Sequence, residues 1–508
     1  MGRVTQILIA NRGEIAVRVL RACRELGIPS VAVYSDADAH APHALLADRA
    51  VRIGPASPAE SYLSIPAILN AARETGADAI HPGYGFLSEN AVFANACVEA
   101  GITFIGPPGA VIDRLGSKIA ARTLAQKAGV PVVPGETPQD QSNDSIAASA
   151  RKVGFPVLLK PSAGGGGIGM KTIRDDGSLL GGIDQARREA VGAFGDGTLY
   201  VERLIERPRH VEIQILADDR GNVVHLFERE CSIQRRHQKV VEETPSTALT
   251  PALRQRMGEA AVALARAAGY RNAGTVEFLL DPSPALGAGG TDSAAFYFLE
   301  VNTRLQVEHP VTERVTGVDL VHAQIAIARG ETLPWKQGEL SQRGHAIEVR
   351  VYAEDPANND LPQAGPLLLY REPSMPGIRI DSGVAEGGAI GVNYDPLIAK
   401  LIADGPTREV ARRRALEALR DFPILGIRTN VAFLIELLAH PRFVAGDIDT
   451  RFLDVEAQQL RARVGAEPPP EALEVAAIAQ PDLSRRSGVR DGSVAKADPW
   501  DTLRGYRG

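Results

Sequence analysis

The sequence predicts a fold of mixed α/β and α+β class, with three folded domains and a C-terminal tail. Strand and helix signals alternate through the first hundred residues, a glycine-rich hairpin lies mid-chain, and strands with Gly and Pro turns follow His345. At 508 residues the chain is too long for one ordinary core. We expect an N-terminal open parallel-sheet domain at 1–117, a central domain at 118–343 with a glycine-rich lid at about 131–204, a mainly antiparallel β domain with helices at 344–454, and a flexible or partner-docking tail at 455–508.

The first domain is predicted from short apolar runs that alternate with helical spacing. Residues 15–26 repeat their apolar side chains at helical intervals and stop at Gly27, and 91–100 form a second predicted helix before Gly101. The predicted strands are 7–10, 30–34, 79–80 and 102–105. This βαβ alternation predicts an open parallel sheet with helices on both faces.

Hairpin signals follow in the central and C-terminal domains. Strands at 155–160 and 170–173 flank the glycine-rich tip, and 274–280 pairs with 296–302 around an exposed insertion at about 281–295. The polar segment 135–145 is predicted as a loop. The other predicted elements are helices at 118–129, 251–268, 408–420 and 431–438, and strands at 198–204, 211–217, 223–229, 346–353, 377–383 and 396–403.

Composition narrows the expected partners and compartment. The net charge of −6 gives no reason to expect nucleic acid or an anionic membrane as a partner. No apolar run reaches 18 residues and the N-terminus lacks a signal-peptide pattern, so we expect a cytoplasmic protein. Cys23, Cys97 and Cys231 are scattered and have no zinc-binding or disulfide spacing, which fits a reducing compartment.

A row of polar residues near the middle of the chain is the most informative feature. Glu300, Asn302, Arg304, Gln306 and Glu308 fall at alternate positions, so an extended strand would place them on one face. A polar-out surface strand explains the alternation but not the residue types, which can hold a hard cation beside an anion. At about 3.3 Å per residue the row would span about 26 Å. We therefore interpret it as a track between a metal-phosphate site and a second reaction centre, bending near 309–310.

Two further groups point to phosphate and metal. The glycines at 164–167 let a backbone approach a phosphate closely, and Lys160 precedes them, although a glycine run alone is equally consistent with a loose loop. No Gly-Lys-Ser/Thr opens a helix here, so the segment is not a P-loop. Glu277 and Glu300 lie on the two strands of one predicted hairpin, and with Asn302 they are suitable ligands for Mg²⁺. Without a cation, such carboxylates would repel each other.

The segment 229–243 is dense in hydrogen-bond donors. Gln234, His237 and Lys239 do not share one parity, so an irregular or bulged segment is predicted. Basic runs are usually solvated, but the apolar pair Val240 and Val241 favours an anion site here.

At this point several motifs carry a family resemblance over residues 3–454. They are Ile-Ala-Asn-Arg-Gly-Glu-Ile-Ala (9–16), His-Pro-Gly-Tyr-Gly-Phe-Leu-Ser-Glu-Asn (81–90), Lys-Pro-Ser-Ala-Gly-Gly-Gly-Gly (160–167), Glu-Arg-Glu-Cys-Ser-Ile-Gln-Arg-Arg-His-Gln-Lys (228–239), Glu-Val-Asn-Thr-Arg-Leu-Gln-Val-Glu-His (300–309) and Gly-His-Ala-Ile-Glu-Val-Arg (344–350). With these the chain resembles the biotin carboxylases of the ATP-grasp superfamily. The resemblance implies a Rossmann-like first domain, a central ATP-grasp domain, and ATP-dependent carboxylation of biotin by bicarbonate.

The resemblance also implies a role for individual residues. Mg²⁺ or Mn²⁺, expected as two ions, would be held by Glu277, Glu300 and Asn302. The residues implied around bicarbonate and biotin are Lys239, Arg304, Gln306, Val307 and Arg350. The residues implied in ATP binding are Lys118, Lys160, Gly164, Gly165, Gly166, Gly167, Glu202, Arg203, Leu204, Ile205, His210, Gln234, His237, Glu277 and Glu300.

The implied chemistry proceeds through carboxyphosphate, with four catalytic residues: Lys239, Arg304, Glu308 and Arg350. Glu308 would take the bicarbonate proton, and Arg304 would align bicarbonate with the γ-phosphate. Arg350 would stabilise the charge that develops on the ureido oxygen of biotin, and the glycine hairpin would close over the site as a lid.

The chain departs from the family pattern at three places. Ile168 stands where the family often has arginine, and Asp360 stands where it usually has phenylalanine. The insertion at about 281–295 lengthens the metal hairpin at its far tip.

The partners are expected from what the chain does not contain. No Ala/Val-Met-Lys-Met biotin-attachment segment occurs in the sequence, so we expect biotin on a separate carboxyl carrier protein and a separate carboxyltransferase. The resemblance implies the biotin carboxylase subunit of an acyl-CoA carboxylase of acetyl- or propionyl-CoA type, and a homodimer. The corresponding subunit of a split pyruvate carboxylase and a non-catalytic ATP-grasp nucleotide-binding scaffold are the alternatives.

Overall fold

The computed structural model describes residues 4–162, 169–236, 238–281, 292 and 294–464. The glycine run, Ile168, His237, most of the insertion and residues 465–508 of the predicted tail lie outside these residues. Residues 455–464 of that predicted tail belong instead to a helix that begins at Phe452 and buries Ala457 and Leu460. Among the described helices, none is both long and apolar enough to cross a membrane.

The N-terminal region is the predicted open parallel sheet. Its five strands run in the order β3-β2-β1-β4-β5, and every neighbouring pair is parallel. The strands are β1 (Ile7–Ile9), β2 (Ser30–Ser35), β3 (Arg49–Gly54), β4 (Ala79–His81) and β5 (Thr103–Phe104). The helices are α1 (Gly13–Glu25), α2 (Pro42–Leu46), α3 (Ile65–Thr75), α4 (Ala91–Glu99) and α5 (Gly109–Gly116). The edge strand β3 was missed, because half of its residues are exposed and its sequence lacks an apolar run.

A smaller antiparallel sheet follows, within the segment predicted as a lid. Its order is β6-β9-β7-β8. The elements here are α6 (Lys118–Lys127), β6 (Gly135–Glu136), α7 (Asn143–Val153), β7 (Val157–Pro161), β8 (Lys171–Ile173), α8 (Leu179–Phe194) and β9 (Leu199–Arg203). The prediction of a loop throughout 135–145 is wrong, because α7 begins at Asn143, where Ser142 Oγ caps it by accepting from the Ser145 N–H.

The rest of the described chain is built on one large sheet. The next elements are β10 (Arg209–Ala217), β11 (Val223–Arg235), β12 (Gln238–Thr244), α9 (Pro251–Ala268), β13 (Asn272–Leu280), β14 (Phe296–Asn302), α10 (His309–Thr316), α11 (Leu320–Ala328) and β15 (His345–Tyr352). The last are β16 (Glu354–Asp355), β17 (Leu361–Pro362), β18 (Gly365–Pro366), β19 (Leu369–Tyr370), β20 (Ile378–Ser382), β21 (Ala389–Ile390), β22 (Leu397–Gly405), α12 (Arg408–Arg420), β23 (Ile424–Leu425), α13 (Val431–Ala439), α14 (Pro441–Ala445) and α15 (Phe452–Val464).

The large sheet has eight antiparallel strands in the order β14-β13-β10-β11-β12-β15-β22-β20. It runs without a break across the predicted domain boundary at 343/344, because β12 pairs with β15. Alternate residues of β10, such as Val211 and Ile213, pack against α9, which leaves His210 and Glu212 on the other face. This face of the sheet carries the candidate site.

The polar row does not form the predicted straight strand. Strand β14 ends at Asn302, and residues 303–308 are irregular before α10 begins at His309. The chain therefore bends six residues earlier than expected, which brings Glu308 back toward the sheet.

Candidate active site

A single cleft of about 980 Å³ connects the small sheet to the large one. Gly164 to Gly167 and His237 lie outside the described residues. Glu308 is fully buried beside the cleft. The other predicted site residues all line it: Lys118, Lys160, Glu202, Arg203, Leu204, Ile205, His210, Gln234, Lys239, Glu277, Glu300, Asn302, Arg304, Gln306, Val307 and Arg350.

Lys160 marks the end of the cleft that lies on the small sheet. Its Nζ donates to Glu202 Oε2 at 3.0 Å, and Arg122 Nη1 reaches the other carboxylate oxygen at 3.2 Å. Burial lowers the pKa of Lys160, but the nearby Glu202 carboxylate more than offsets this and raises the pKa overall. Lys118 has a lowered pKa because burial outweighs the attraction of Glu300. The cleft therefore presents ammonium groups that suit phosphate oxygens.

The next part of the cleft is the predicted hairpin. Glu277 on β13 lies directly opposite Glu300 on β14. Asn302 Nδ2 donates to Glu277 Oε1 at 2.9 Å, and His210 Nε2 lies 2.8 Å from Glu277 Oε2. Burial, together with the neighbouring Glu277 carboxylate, raises the pKa of Glu300. Two opposed carboxylates and an amide oxygen form a hard oxygen donor set that a divalent cation would stabilise, so these residues fit Mg²⁺ or Mn²⁺.

Lys239 occupies the centre of the site. Its ammonium group donates to Glu212 Oε2 at 2.6 Å, Glu277 Oε1 at 2.9 Å and Glu308 Oε1 at 2.6 Å. All three of its donors are thus used, as a compact ammonium allows. Burial lowers the pKa of Lys239, but these carboxylates raise it well above its usual value. The predicted irregularity of this segment is confirmed, since the β11–β12 register shifts twice before the pair of Gln234 and Lys239.

Glu308 links Lys239 to the far end of the cleft. Its other oxygen, Oε2, accepts from Arg350 Nη2 at 3.0 Å, and Arg350 Nε donates to Glu242 Oε1 at 2.7 Å. Burial raises the pKa of Glu308, but Lys239 and Arg350 together hold it well below its usual range. These contacts therefore favour the ionised form of Glu308.

Arg304 is held in place before any ligand binds. Its Nε donates to Glu89 Oε2 at 2.8 Å, its Nη1 to Gln306 Oε1 at 2.8 Å, and its Nη2 to Asn302 Oδ1 at 3.0 Å. The Val307 carbonyl accepts from Lys400 Nζ at 2.8 Å, which fixes the irregular segment from beneath. The guanidinium is thus fixed beside Asn302, one of the metal-type ligands.

The sequence analysis did not assign three acidic residues that complete this network. Glu89 lies in the quoted motif 81–90, and Glu212 has the same parity as His210 on β10, so the sequence could have indicated both residues. The sequence gives no indication of the role of Glu242, because its contact with Arg350 depends on the pairing of β12 with β15. These strands are about a hundred residues apart in the chain.

Family models match the chain in three consecutive stretches. These are "Biotin carboxylase, N-terminal domain" at residues 3–112, "Carbamoyl-phosphate synthase L chain, ATP binding domain" at 117–336, and "Biotin carboxylase C-terminal domain" at 348–455.

Curated relatives agree with the family models. Biotin carboxylase of Halalkalibacterium halodurans is 50% identical over 463 residues, which cover 91% of this chain and 99% of the relative. The alpha subunit of methylcrotonoyl-CoA carboxylase from Oryza sativa subsp. japonica is 50% identical over 89% of this chain but only 60% of its own length. A pyruvate carboxylase subunit of Methanothermobacter thermautotrophicus is 49% identical, with 89% of each chain covered.

A solved structure has the same fold. It is the biotin carboxylase domain dimer of Hydrogenobacter thermophilus 2-oxoglutarate carboxylase, in complex with MgADP, ADP and bicarbonate. It superposes with a TM-score of 0.85 at 45% identity, and the match covers 90% of this chain and 98% of that one.

Proposed function

The chain belongs to the biotin carboxylase family of ATP-dependent ligases, and from this premise we propose that it carboxylates biotin on a separate carrier protein as one component of an acyl-CoA carboxylase. The observation that carries the proposal is the unbroken chain of contacts from Glu277 through Lys239 and Glu308 to Arg350. This series of contacts would join a site for a metal nucleotide to a second reaction centre along one cleft.

The nucleotide end would hold ATP and its metal. Lys118 and Lys160 would bind the phosphates, and Glu277, Glu300 and Asn302 would hold Mg²⁺ or Mn²⁺. The bound cation would neutralise charge that develops on the transferring phosphoryl group.

Bicarbonate would bind between Arg304 and Lys239 and attack the γ-phosphate of ATP, which gives carboxyphosphate. Glu308 would take the proton from the bicarbonate hydroxyl. In the unliganded site its pKa is depressed because Lys239 and Arg350 donate to it. A second anion bound to Lys239 would share that positive charge, so the pKa of Glu308 would rise toward the value a base needs.

Arg350 would serve the second half of the reaction. Carboxyphosphate would collapse to CO₂ and fully ionised phosphate, this phosphate would take the proton from N1 of biotin, and N1 would then attack the CO₂. The negative charge then lies on the ureido oxygen, where the Arg350 guanidinium would stabilise it. Arg350 lines the cleft within contact of Glu308, so both half-reactions would share one chamber.

Release of ADP by the purified chain tests the catalytic part of the proposal. We expect ADP release that requires bicarbonate and Mg²⁺ and that free biotin accelerates. If ATP turns over with no response to bicarbonate or biotin, another ATP-grasp ligase is the better assignment. If ATP binds without turnover under any of these conditions, the scaffold alternative holds.

The final acceptor is a separate proposal, for which the relatives offer two candidates. The acyl-CoA assignment rests on the methylcrotonoyl-CoA carboxylase relatives. The match covers 60% of the length of the rice protein. The pyruvate carboxylase relative from Methanothermobacter supports the alternative. Affinity purification of the chain from its own cells should recover a biotin carrier and an acyl-CoA carboxyltransferase. Recovery of a pyruvate carboxyltransferase would instead establish the alternative.

We also propose that the chain forms a homodimer, as the relative from Hydrogenobacter does in its crystal structure. Sedimentation equilibrium should give twice the 54.1 kDa mass of the chain. A single 54.1 kDa species across the micromolar range would rule this out.

A further inference from the structure

Two buried carboxyl groups face each other behind Arg350. Glu242 on β12 and Glu348 on β15 are direct partners in the antiparallel ladder, which places their Cβ atoms about 5 Å apart on one face of the sheet. Both side chains are fully buried. Within the described part of the chain, Oε2 of Glu242 and both carboxyl oxygens of Glu348 have no hydrogen-bond partner.

The surrounding cations are engaged with other groups. Arg350 donates to Glu242 and Glu308, and Lys239 donates to three other carboxylates. Lys400 donates to the Val307 carbonyl and lies 3.1 Å from Glu14. On α10, which packs against this face, the His309 Nδ1 hydrogen bonds with the Gln306 carbonyl and Glu313 pairs with Arg18 and Arg379. No described cation forms a hydrogen bond or ion pair with Glu348, although Lys400 is near enough to attract its carboxylate.

We propose that Glu242 and Glu348 share one proton, and that this carboxyl pair positions Arg350. The shared proton also sets the net charge around the Arg350 guanidinium when biotin binds. The inference rests on the proposed function, since it deepens the role of Arg350. If both members of the pair were ionised, Glu348 would be a buried carboxylate without an ion-pair partner beside the charge of Glu242, which is costly. One shared proton removes that cost and still leaves Glu242 Oε1 as the acceptor for Arg350.

A count of charges shows why the proton matters for the reaction. If Glu242, Glu308 and Glu348 were all ionised, three negative charges would surround the single positive charge of Arg350. With one proton on the pair, and with Glu308 neutral after it accepts the bicarbonate proton, one negative charge remains beside Arg350. The N–H of Nη2 that pairs with Glu308 is then released to donate to the ureido oxygen as that oxygen becomes negative, while Nη2 keeps its contact with Glu242.

The direction of the pKa shifts agrees with this geometry. Burial raises the pKa of Glu242 to about 7, against the opposing effect of Arg350. Burial raises the pKa of Glu348 well above its usual value; Lys400 opposes this shift and the neighbouring Glu242 carboxylate adds to it. The two groups interact, so the pair titrates as a unit rather than as two separate residues.

The pH dependence of biotin carboxylation tests the proposal. In the wild type, kcat/KM for biotin should fall about tenfold per pH unit once the pair loses its proton. Glu348→Gln mimics the protonated form, so the variant should keep wild-type kcat/KM near neutral pH and lose this alkaline decline. Bicarbonate-dependent ATP hydrolysis without biotin should be equal in the two proteins. Glu243→Gln changes a buried carboxylate on the neighbouring position of β12, and should keep the wild-type pH profile.

Two outcomes would overturn the inference. One is an alkaline decline in Glu348→Gln that matches the wild type. The other is an equal loss of ATP hydrolysis and biotin carboxylation in that variant at every pH, which indicates a structural role only. If the variant does not fold, infrared titration of the wild type decides, because a buried protonated carboxyl band should be present at neutral pH and should vanish in alkali. Absence of that band refutes the shared proton, whether or not the protein carboxylates biotin.

Discussion

Replacement of Glu308 by glutamine separates the chemical role of this residue from its structural one. The carboxylate is fully buried and accepts one contact from Lys239 at 2.6 Å and one from Arg350 at 3.0 Å. In the variant the amide oxygen can accept from only one of these cations, and the amide NH₂ group must face the other. Lys239 keeps Glu212 and Glu277, and Arg350 keeps Glu242. We expect a loss of about 3 kcal/mol in the free energy of unfolding, the lower end for a broken buried pair.

The loss of activity should be larger than this change in stability suggests. A general base contributes about 10²- to 10⁴-fold to the rate, so Glu308→Gln should reduce biotin-dependent ADP release by that factor. Binding of ADP should change little, because Lys118 and Lys160 are at the other end of the cleft.

The assay combines three measurements on each protein: denaturant unfolding without nucleotide, calorimetric ADP binding, and steady-state ADP release with bicarbonate and biotin. Glu243→Gln is the matched control, since Glu243 is also buried and pairs with Arg408 and His345. It should lose similar stability but keep its turnover number. Glu308→Gln activity within about tenfold of the wild type would refute the assignment of the base. If the control loses turnover to the same extent, the loss in Glu308→Gln is caused by reduced stability and not by the missing base.

Three further predictions concern other parts of the molecule. Glu277→Gln should weaken Mn²⁺ binding in the presence of ADP by about 10- to 100-fold, and a paramagnetic titration measures this affinity. Unchanged Mn²⁺ binding would exclude Glu277 as a ligand. Lys160→Met should weaken ADP binding by about 1.5–3 kcal/mol, the contribution of a charged hydrogen bond, and calorimetry that finds no change would exclude a phosphate contact. Burial raises the pKa of Glu243, but Arg408 and His345 lower it overall from 4.5 to about 2, which corresponds to about 3 kcal/mol. This stabilisation is present above pH 4.5 and should be lost as the pH falls toward 2. The free energy of unfolding of Glu243→Gln should therefore fall less between pH 4.5 and 2 than that of the wild type. An identical fall in both proteins would contradict this role of Glu243.

The regular elements were the part of the fold that the sequence predicted best. Helix α12 runs from Arg408 to Arg420 as expected, because Thr407 caps its first turn and apolar residues recur at helical spacing. The bend after Asn302 was missed for a physical reason: residues 303–308 contain no Gly or Pro, and the alternation of polar and apolar residues continues through them. Alternation alone cannot distinguish a strand from an irregular segment whose side chains are held by ion pairs.

In the candidate site, too, some residues could be predicted from the sequence and others could not. Lys239, Glu308 and Arg350 lie in motifs that a single sequence displays, and the structure brings all three into contact. The partners Glu242 and Glu348 were not predicted, because their encounter depends on strand register between distant segments. Local patterns report which face a side chain takes, but they do not report which strand lies beside it.

The continuity of the large sheet constrains how this protein can be divided. Any fragment that ends near residue 343 would lose the partner of β12 and expose Val240 and Val241 along an unpaired strand edge. An exposed strand edge of this kind promotes self-association. Exchange of the C-terminal third with that of a paralogue would therefore break the hydrogen bonds between two paired strands. The unit that evolution or an engineer can transplant is therefore the whole segment that carries both reaction centres.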